Sequence, residues 1–243
     1  MDKIYLKVED LLVSRRGFSI SNVSFDLKSG NILGLVGRSG SGKSTLIKAM
    51  VGLIRPKMGT ITSYYNDMPA PLSYMIGYSP QENALYPYLT LEENLFLFGE
   101  LYKIEGSVIT QRMDFLLKRL NLQDSKNKRI TELSGGMKKR ADLAVTLIHS
   151  PNIIILDEPF NGLDVSLQKF IWTLLRELAK EGKIIIVSSH MLNDIQRNCN
   201  QFGLVENGQF YNNHRIVHEL TVNKQNLEPF LENMFAKNMA TVK

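Results

Sequence analysis

The sequence holds a single cysteine, Cys199, so no disulfide can close within the chain. That usage suits a reducing compartment, and the fold must rest on a buried core. The chain also lacks any apolar run near the ~18 residues that a membrane-spanning helix requires, so a membrane role must come through a partner. The opening Met1-Asp2-Lys3-Ile4-Tyr5 enters alternating apolar residues directly, without the apolar core of a signal peptide. No block of lysine or arginine stands out despite a net charge of +5, so a clustered nucleic-acid footprint is not expected. The mild positive balance is equally compatible with an anionic nucleotide or a cytoplasmic membrane face. Repeats and low-complexity stretches are absent. What remains is ordinary globular material: 243 residues, 44% hydrophobic and 22% charged, enough for one large α/β domain with a small appended piece.

The chain is organised around Gly37-Arg38-Ser39-Gly40-Ser41-Gly42-Lys43-Ser44-Thr45, which fits the phosphate-loop pattern G-x-x-x-x-G-K-[ST]. Ile32-Leu33-Gly34-Leu35-Val36 before it reads as a fully buried strand. Leu46, Ile47, Met50 and Leu53 after it fall on one helical face. Glycines let backbone N–H groups turn inward around an anion, and a helix start adds unpaired donors and partial positive charge. In such a loop Lys43 reaches the β- and γ-phosphates and the Ser44 hydroxyl ligates Mg²⁺.

Elsewhere, Ile4, Leu6 and Val8 alternate, as do Val23, Phe25 and Leu27, which predicts two half-buried antiparallel strands. Thr60-Ile61-Thr62 and Met75-Ile76-Gly77-Tyr78 are further short strands, separated from the first helix by the breaker cluster Arg55 to Gly59. Ser79-Pro80-Gln81 ends the second, and an unusually apolar loop follows, Leu85-Tyr86-Pro87-Tyr88-Leu89. Thr90 is placed to cap a helix running to about Tyr102, with Glu92 and Glu93 in its first turn. A second helix is expected from about Val108 to Leu120. Residues 91 to 150 show helices and no convincing strand, which predicts an all-helical insertion.

Ser134 is placed to cap the next helix, and Gly135 and Gly136 expose N–H groups at its start, a second potential anion site without a lysine of its own. Ile153-Ile154-Ile155-Leu156 is a buried strand that ends on Asp157 and Glu158, carboxylates placed either for chemistry or simply for solvent. A helix with a core stripe runs from Ser166 to Lys180, and a buried strand, Ile184 to Val187, leads to Ser188-Ser189-His190. Phe202 to Glu206, Asn207-Gly208 and Gln209 to Tyr211 form a hairpin with a type I′ turn. Leu227, Leu231, Met234 and Phe235 make a final apolar stripe, for the domain or for a partner.

Taken in order, the phosphate loop, Gln81, Leu133-Ser134-Gly135-Gly136-Met137, Ile155-Leu156-Asp157-Glu158-Pro159, Gly162-Leu163-Asp164 and His190 resemble the nucleotide-binding subunit of ATP-binding-cassette (ABC) transporters, over residues 1 to 211. Leu-Ser-Gly-Gly-Met-Lys-Lys-Arg, the Asn-Gly-Leu-Asp segment and the closing Asn226 to Leu231 look most like the ABC-2 exporter branch. The resemblance implies a P-loop ATPase core of α/β class with a mixed sheet, an N-terminal antiparallel β piece and an all-helical signature subdomain. As a single ABC ATPase domain over 1–243, it would divide into a core at about 1–84 and 151–211, a helical subdomain at about 85–150 and a C-terminal extension at about 212–243.

The resemblance also implies the roles. Two such subunits sandwich two ATP molecules head to tail. Gly37 to Thr45 of one copy and Ser134, Gly135 and Gly136 of the other hold each nucleotide. Ser44 and Gln81 ligate Mg²⁺, Asp157 contributes through water, Glu158 is the general base, and His190 holds the water and Glu158 in line. Asp164 sits at the dimer seam, and Phe18 stacks on adenine, with Arg16 as an alternative through a cation–π contact. Position 137 is methionine where the family often has glutamine, and Phe160 replaces a usual small residue. The expected function is an ATP-hydrolysing motor on the cytoplasmic face of a membrane, docked through its apolar loop at Leu85 to Leu91 to a transmembrane permease, and paired with a second ATPase subunit. A soluble ABC-class ATPase without a membrane partner is the alternative, although the stretch from Lys43 to Leu133 is too short for long coiled coils.

Overall fold

A computed structural model of the chain describes residues 2–15 and 17–212. Its strands are β1 (Ile4–Arg15), β2 (Phe18–Lys28), β3 (Ile32–Val36), β4 (Met58–Tyr65), β5 (Met68–Pro69), β6 (Ile76–Ser79), β7 (Ile153–Leu156), β8 (Ile184–Ser189), β9 (Gln201–Glu206) and β10 (Gln209–Asn212). Its α-helices are α1 (Lys43–Met50), α2 (Leu72–Met75), α3 (Leu91–Leu101), α4 (Gly106–Arg119), α5 (Gly135–Leu147), α6 (Val165–Lys180) and α7 (Leu192–Asn198). The strands form one sheet in the order β5-β4-β1-β2-β10-β9-β3-β8-β7-β6.

β3 sits between β9 and β8 and pairs parallel to both. Both faces of this parallel part are covered, which is why its strands are unbroken apolar runs. Side chains alternate across the sheet. Leu33 and Leu35 face α1 together with Ile153, Ile155, Ile184 and Ile186. Ile32, Val36, Ile154, Leu156, Ile185 and Val187 face α3 to α6. The outer part is antiparallel: β1 pairs with β2, Leu6 opposite Leu27 and Val8 opposite Phe25, and with β4 on its other edge. The register slips between Val8 and Leu11, where Asp10 adopts φ 46°. The type I′ turn is found as expected, with Asn207 at φ 48° and Gly208 at φ 72°.

Between β6 and β7 the described chain holds helices and loops, with one isolated antiparallel bridge between Thr90 and Arg129. α3 opens with a complete capping box: Thr90 accepts from the Glu93 N–H, and the Glu93 carboxylate accepts from the Thr90 N–H. α4 begins two residues before the expected Val108, and Met75 ends the short α2 instead of opening a strand. These helices share one continuous apolar cluster with the sheet, running from Leu95 and Ile109 through Ala144 to Ile154 and Leu174. α5 lies close on β6 because Gly77 has no side chain. A Cβ there would stand 2.5 Å from the Thr146 carbonyl oxygen. The stripe at Leu227 to Phe235 lies outside the described residues.

Candidate active site

The C-terminal ends of β3, β7 and β8 and the start of α1 converge on one cleft of about 660 Å³. The loop from β3 closes with Gly42 at φ 109°, a left-handed conformation that disfavours a side chain. A Cβ at Gly42 would also lie 2.6 Å from Ile20 Cδ1 and 2.7 Å from the Phe18 ring. Phe18 therefore packs directly over the loop that turns into α1.

Lys43 follows as the first residue of α1, only 4% exposed. Its ammonium donates to the Gly37 carbonyl at 2.8 Å and to the Arg38 carbonyl at 3.0 Å, and it lies 3.2 Å from Glu158 Oε1. Three donors thus meet three oxygens, as a buried cation requires. Glu158 is held from its other side as well: its Oε2 lies 3.0 Å from Nδ1 of the exposed His190. Its backbone carries strain, with φ 49° at a non-glycine residue. A fixed partner holds it there, because the Glu158 N–H donates to Ser188 Oγ at 2.8 Å. That same hydroxyl donates to Asp157 Oδ1 at 2.7 Å. β8 thereby aligns both acids at the tip of β7.

Of the expected nucleotide, catalytic and metal residues, all but Gly37, Ser41 and Asp157 line the cleft. Gly37 is buried, Ser41 Oγ is buried without a hydrogen-bond partner, and Asp157 is buried behind the wall at 1% exposure. Arg16 lies outside the described residues. Among the described residues no three His, Cys, Asp or Glu side chains gather into a cage. Ser44 and Gln81 on the wall, with Asp157 behind it, nonetheless fit Mg²⁺, which takes few protein oxygens, keeps waters and shares its shell with phosphates.

Ser134, Gly135, Gly136 and Asp164 do not line this cleft. Ser134 caps the 13-residue α5, accepting from the Met137 N–H at 3.3 Å, so the methionine costs the cap nothing. Met137 itself packs against the core. Ser134 and Gly135 are exposed, and a Cβ on Gly135 would meet nothing within 4 Å. Asp164 caps α6, accepting from the Leu167 N–H at 2.9 Å. Phe160 is buried and stacked on Trp172, ring centroids 4.6 Å apart.

Reasoning from sequence missed Arg15 and Asn161 on the cleft wall, the capping by Asp164, and the Ser188 hydroxyl between the two acids. It also missed Asp142, a carboxylate 1% exposed within α5. A charge at a core position of a helix was the available signal.

The family model described as ABC transporter matches residues 20–161, more than half of the chain. The chain belongs to the ABC transporter family. ATP binding and hydrolysis are the general activity of its ATP-binding subunits. The Nod factor export ATP-binding protein I of Bradyrhizobium diazoefficiens is 34% identical over 206 residues, covering 82% of this chain and 67% of that protein. ABC transporter G family member 20 of Dictyostelium discoideum is 36% identical over 197 residues, 80% of this chain and 27% of that one. The chain thus spans about two thirds of the first relative and about a quarter of the second. A solved ATP-binding subunit of an ABC transporter superposes with a TM-score of 0.82 at 27% identity, covering 95% of this chain and 99% of the other. Among the described residues no helix is long and apolar enough to cross a membrane.

Proposed function

We propose that this chain is the ATP-hydrolysing motor of an ABC exporter and works as a head-to-tail pair of ATPase subunits at the cytoplasmic face of a membrane. The observation that carries the reading is the split in the site. The cleft gathers the phosphate loop, Glu158 and His190, while the signature helix start at Ser134 and Gly135 is exposed and outside it. A γ-phosphate in the cleft would replace Glu158 as the partner of Lys43. Glu158 would then take a proton from water as its oxygen attacks the γ-phosphorus, and the bond to the β–γ bridging oxygen breaks to leave ADP and phosphate. His190, 3.0 Å from Glu158 Oε2, would hold the far oxygen of Glu158 meanwhile. Mg²⁺, held through Ser44, Gln81 and a water on Asp157, would neutralise charge on the phosphate oxygens. Phe18, packed over Gly42, would stack on adenine, and Asp164 would meet the partner copy. Residues at about 85–150 act as the subdomain that presents the signature.

The loop after β6 supports a membrane partner. Asn94, fully buried, binds it through both amide ends: Oδ1 accepts from the Tyr86 N–H at 2.8 Å, and Nδ2 donates to the Tyr86 carbonyl at 3.1 Å and the Thr90 carbonyl at 2.9 Å. Leu85 and Leu91 are turned into the core, while Tyr88 is 80% exposed and Tyr86 49% exposed. A loop held rigid with two tyrosines outward suits a cytoplasmic helix of a permease. Export is favoured because relatives at about a third identity are named Nod factor export proteins. Purification of the tagged chain from detergent-solubilised membranes tests the assignment. A co-purifying multi-span protein is expected. A soluble ATPase that recovers no membrane protein would instead favour an ABC-class enzyme without a permease.

A further inference from the structure

Gln81 stands on a short segment between β6 and the apolar loop, and both ends of that segment are tied to one side chain of α5. Asp142 accepts a hydrogen bond from Ser79 Oγ through Oδ2, and from the Ala84 N–H at 3.2 Å through Oδ1. Lys139, one turn earlier on α5, completes the arrangement. Its ammonium donates to Ser79 Oγ at 3.0 Å and lies 3.4 Å from Asp142 Oδ2. Asp142 is 1% exposed and the Lys139 side chain 13% exposed, so this is a largely desolvated ion pair. Replacing such a pair with apolar residues is often neutral for stability, so stability alone does not account for it. The same Ser79 touches the catalytic strand: its carbonyl accepts from the Asp157 N–H at 2.9 Å. The close approach of α5 at Gly77 brings the helix within reach of these groups.

We infer that Asp142, braced by Lys139, is a positioning residue that clamps the Gln81 segment at both ends to the signature helix. Asp142 stands eight residues after Ser134 on the same element, about 12 Å along its axis. A displacement of the signature end by the partner's nucleotide is carried by a rigid helix to Gln81 in the cleft of the same copy. The reciprocal path, from nucleotide at Gln81 to the signature, uses the same two bonds. This inference rests on the reading above that Gln81 serves the metal.

The test is a double-mutant cycle on hydrolysis, with kcat counted per nucleotide-binding site by titration with a fluorescent ATP analogue. Gln81→Ala and Asp142→Ala are each expected to lower kcat roughly tenfold, the scale of a lost hydrogen bond to a charged group. Analogue affinity of Asp142→Ala stays unchanged, because Asp142 lies outside the cleft and the phosphate loop is intact. The pair Gln81→Ala with Asp142→Ala is expected to lose no more than either alone. Asp142→Asn, which retains an acceptor for Ala84 and a polar group for Ser79, should keep most of the rate, and Ser79→Ala should behave as a milder Asp142→Ala. Multiplicative losses, near a hundredfold in the pair, would mean that Asp142 acts independently of Gln81 and would overturn the inference alone. Gln81→Ala at the wild-type rate would refute the role of Gln81 and the inference together. Should Asp142→Ala fail to fold, the same cycle is run with Ser79→Ala.

Discussion

Lys43 and Glu158 each satisfy a charge that the other would leave stranded, 3.2 Å apart at 4% and 11% side-chain exposure. Lys43→Ala removes the cation that a phosphate needs and leaves Glu158 without its buried partner. ATP binding followed by fluorescence titration is expected to vanish, and a wild-type affinity would contradict the assignment. Glu158→Gln keeps the shape and the His190 contact but cannot accept the proton. ATP affinity is expected to persist while turnover falls roughly 10²–10⁴-fold, the usual worth of a positioned base. Normal turnover by that variant would remove Glu158 from the base role. The identities of Lys43, Glu158 and His190 were legible because their motifs fix residue types in order. Their mutual contacts and the strained backbone of Glu158 were not, since they arise where β3, β7 and β8 meet. Asp164 is the instructive case. An acid just ahead of a periodic helix is a capping signal, whereas the family resemblance assigns Asp164 only to the seam.

At the level of elements, His149 follows α5 and stacks on Tyr102 just after α3, ring centroids 3.6 Å apart and planes at 5°. Its Nε2 lies 3.0 Å from the Ile76 carbonyl, and its Nδ1 is buried without a partner. Burial pushes the imidazole down to about 4, against a partial upward pull from the Ile76 carbonyl. The folded state therefore holds this ring neutral where the unfolded chain would protonate it. The stability that follows is present above the unfolded value near 6.5 and is lost as pH falls from there towards 4. His149→Phe, which keeps the stack, should show a shallower decline of Tm between those limits than the wild type. Parallel declines would remove His149 from the acid response. For α6, Asp164→Asn preserves a good cap, so its unfolding free energy should stay within about 0.5 kcal/mol of the wild type, whereas Asp164→Ala should lose about 1 kcal/mol. Any loss of hydrolysis in the asparagine variant then reports the seam and not the cap. Strongly patterned elements were readable: the apolar runs of β3, β7 and β8 and the Thr90 cap of α3. α7 was not, because Leu192–Asn198 offers two apolar residues and buries only Ile195, too little to show a period.

For the whole molecule, the class and layering followed from sequence because a parallel sheet covered on both faces demands continuous apolar strands with helices between them. One core pattern was less visible. The helices between β6 and β7 do not form a core of their own but share the cluster that covers one face of the sheet. The signature helix rests on that shared cluster with its start at Ser134 exposed and outside its own cleft, and this is the arrangement behind the proposal that the site is completed by a second copy. The most direct measurement is the solution mass of Glu158→Gln at saturating ATP and Mg²⁺, with and without Ser134→Arg in the same chain. A dimer is expected with ATP, a monomer without nucleotide, and a monomer when arginine blocks the signature. A chain that stays monomeric at saturating ATP, or dimerises equally well with Ser134→Arg, would contradict the composite site.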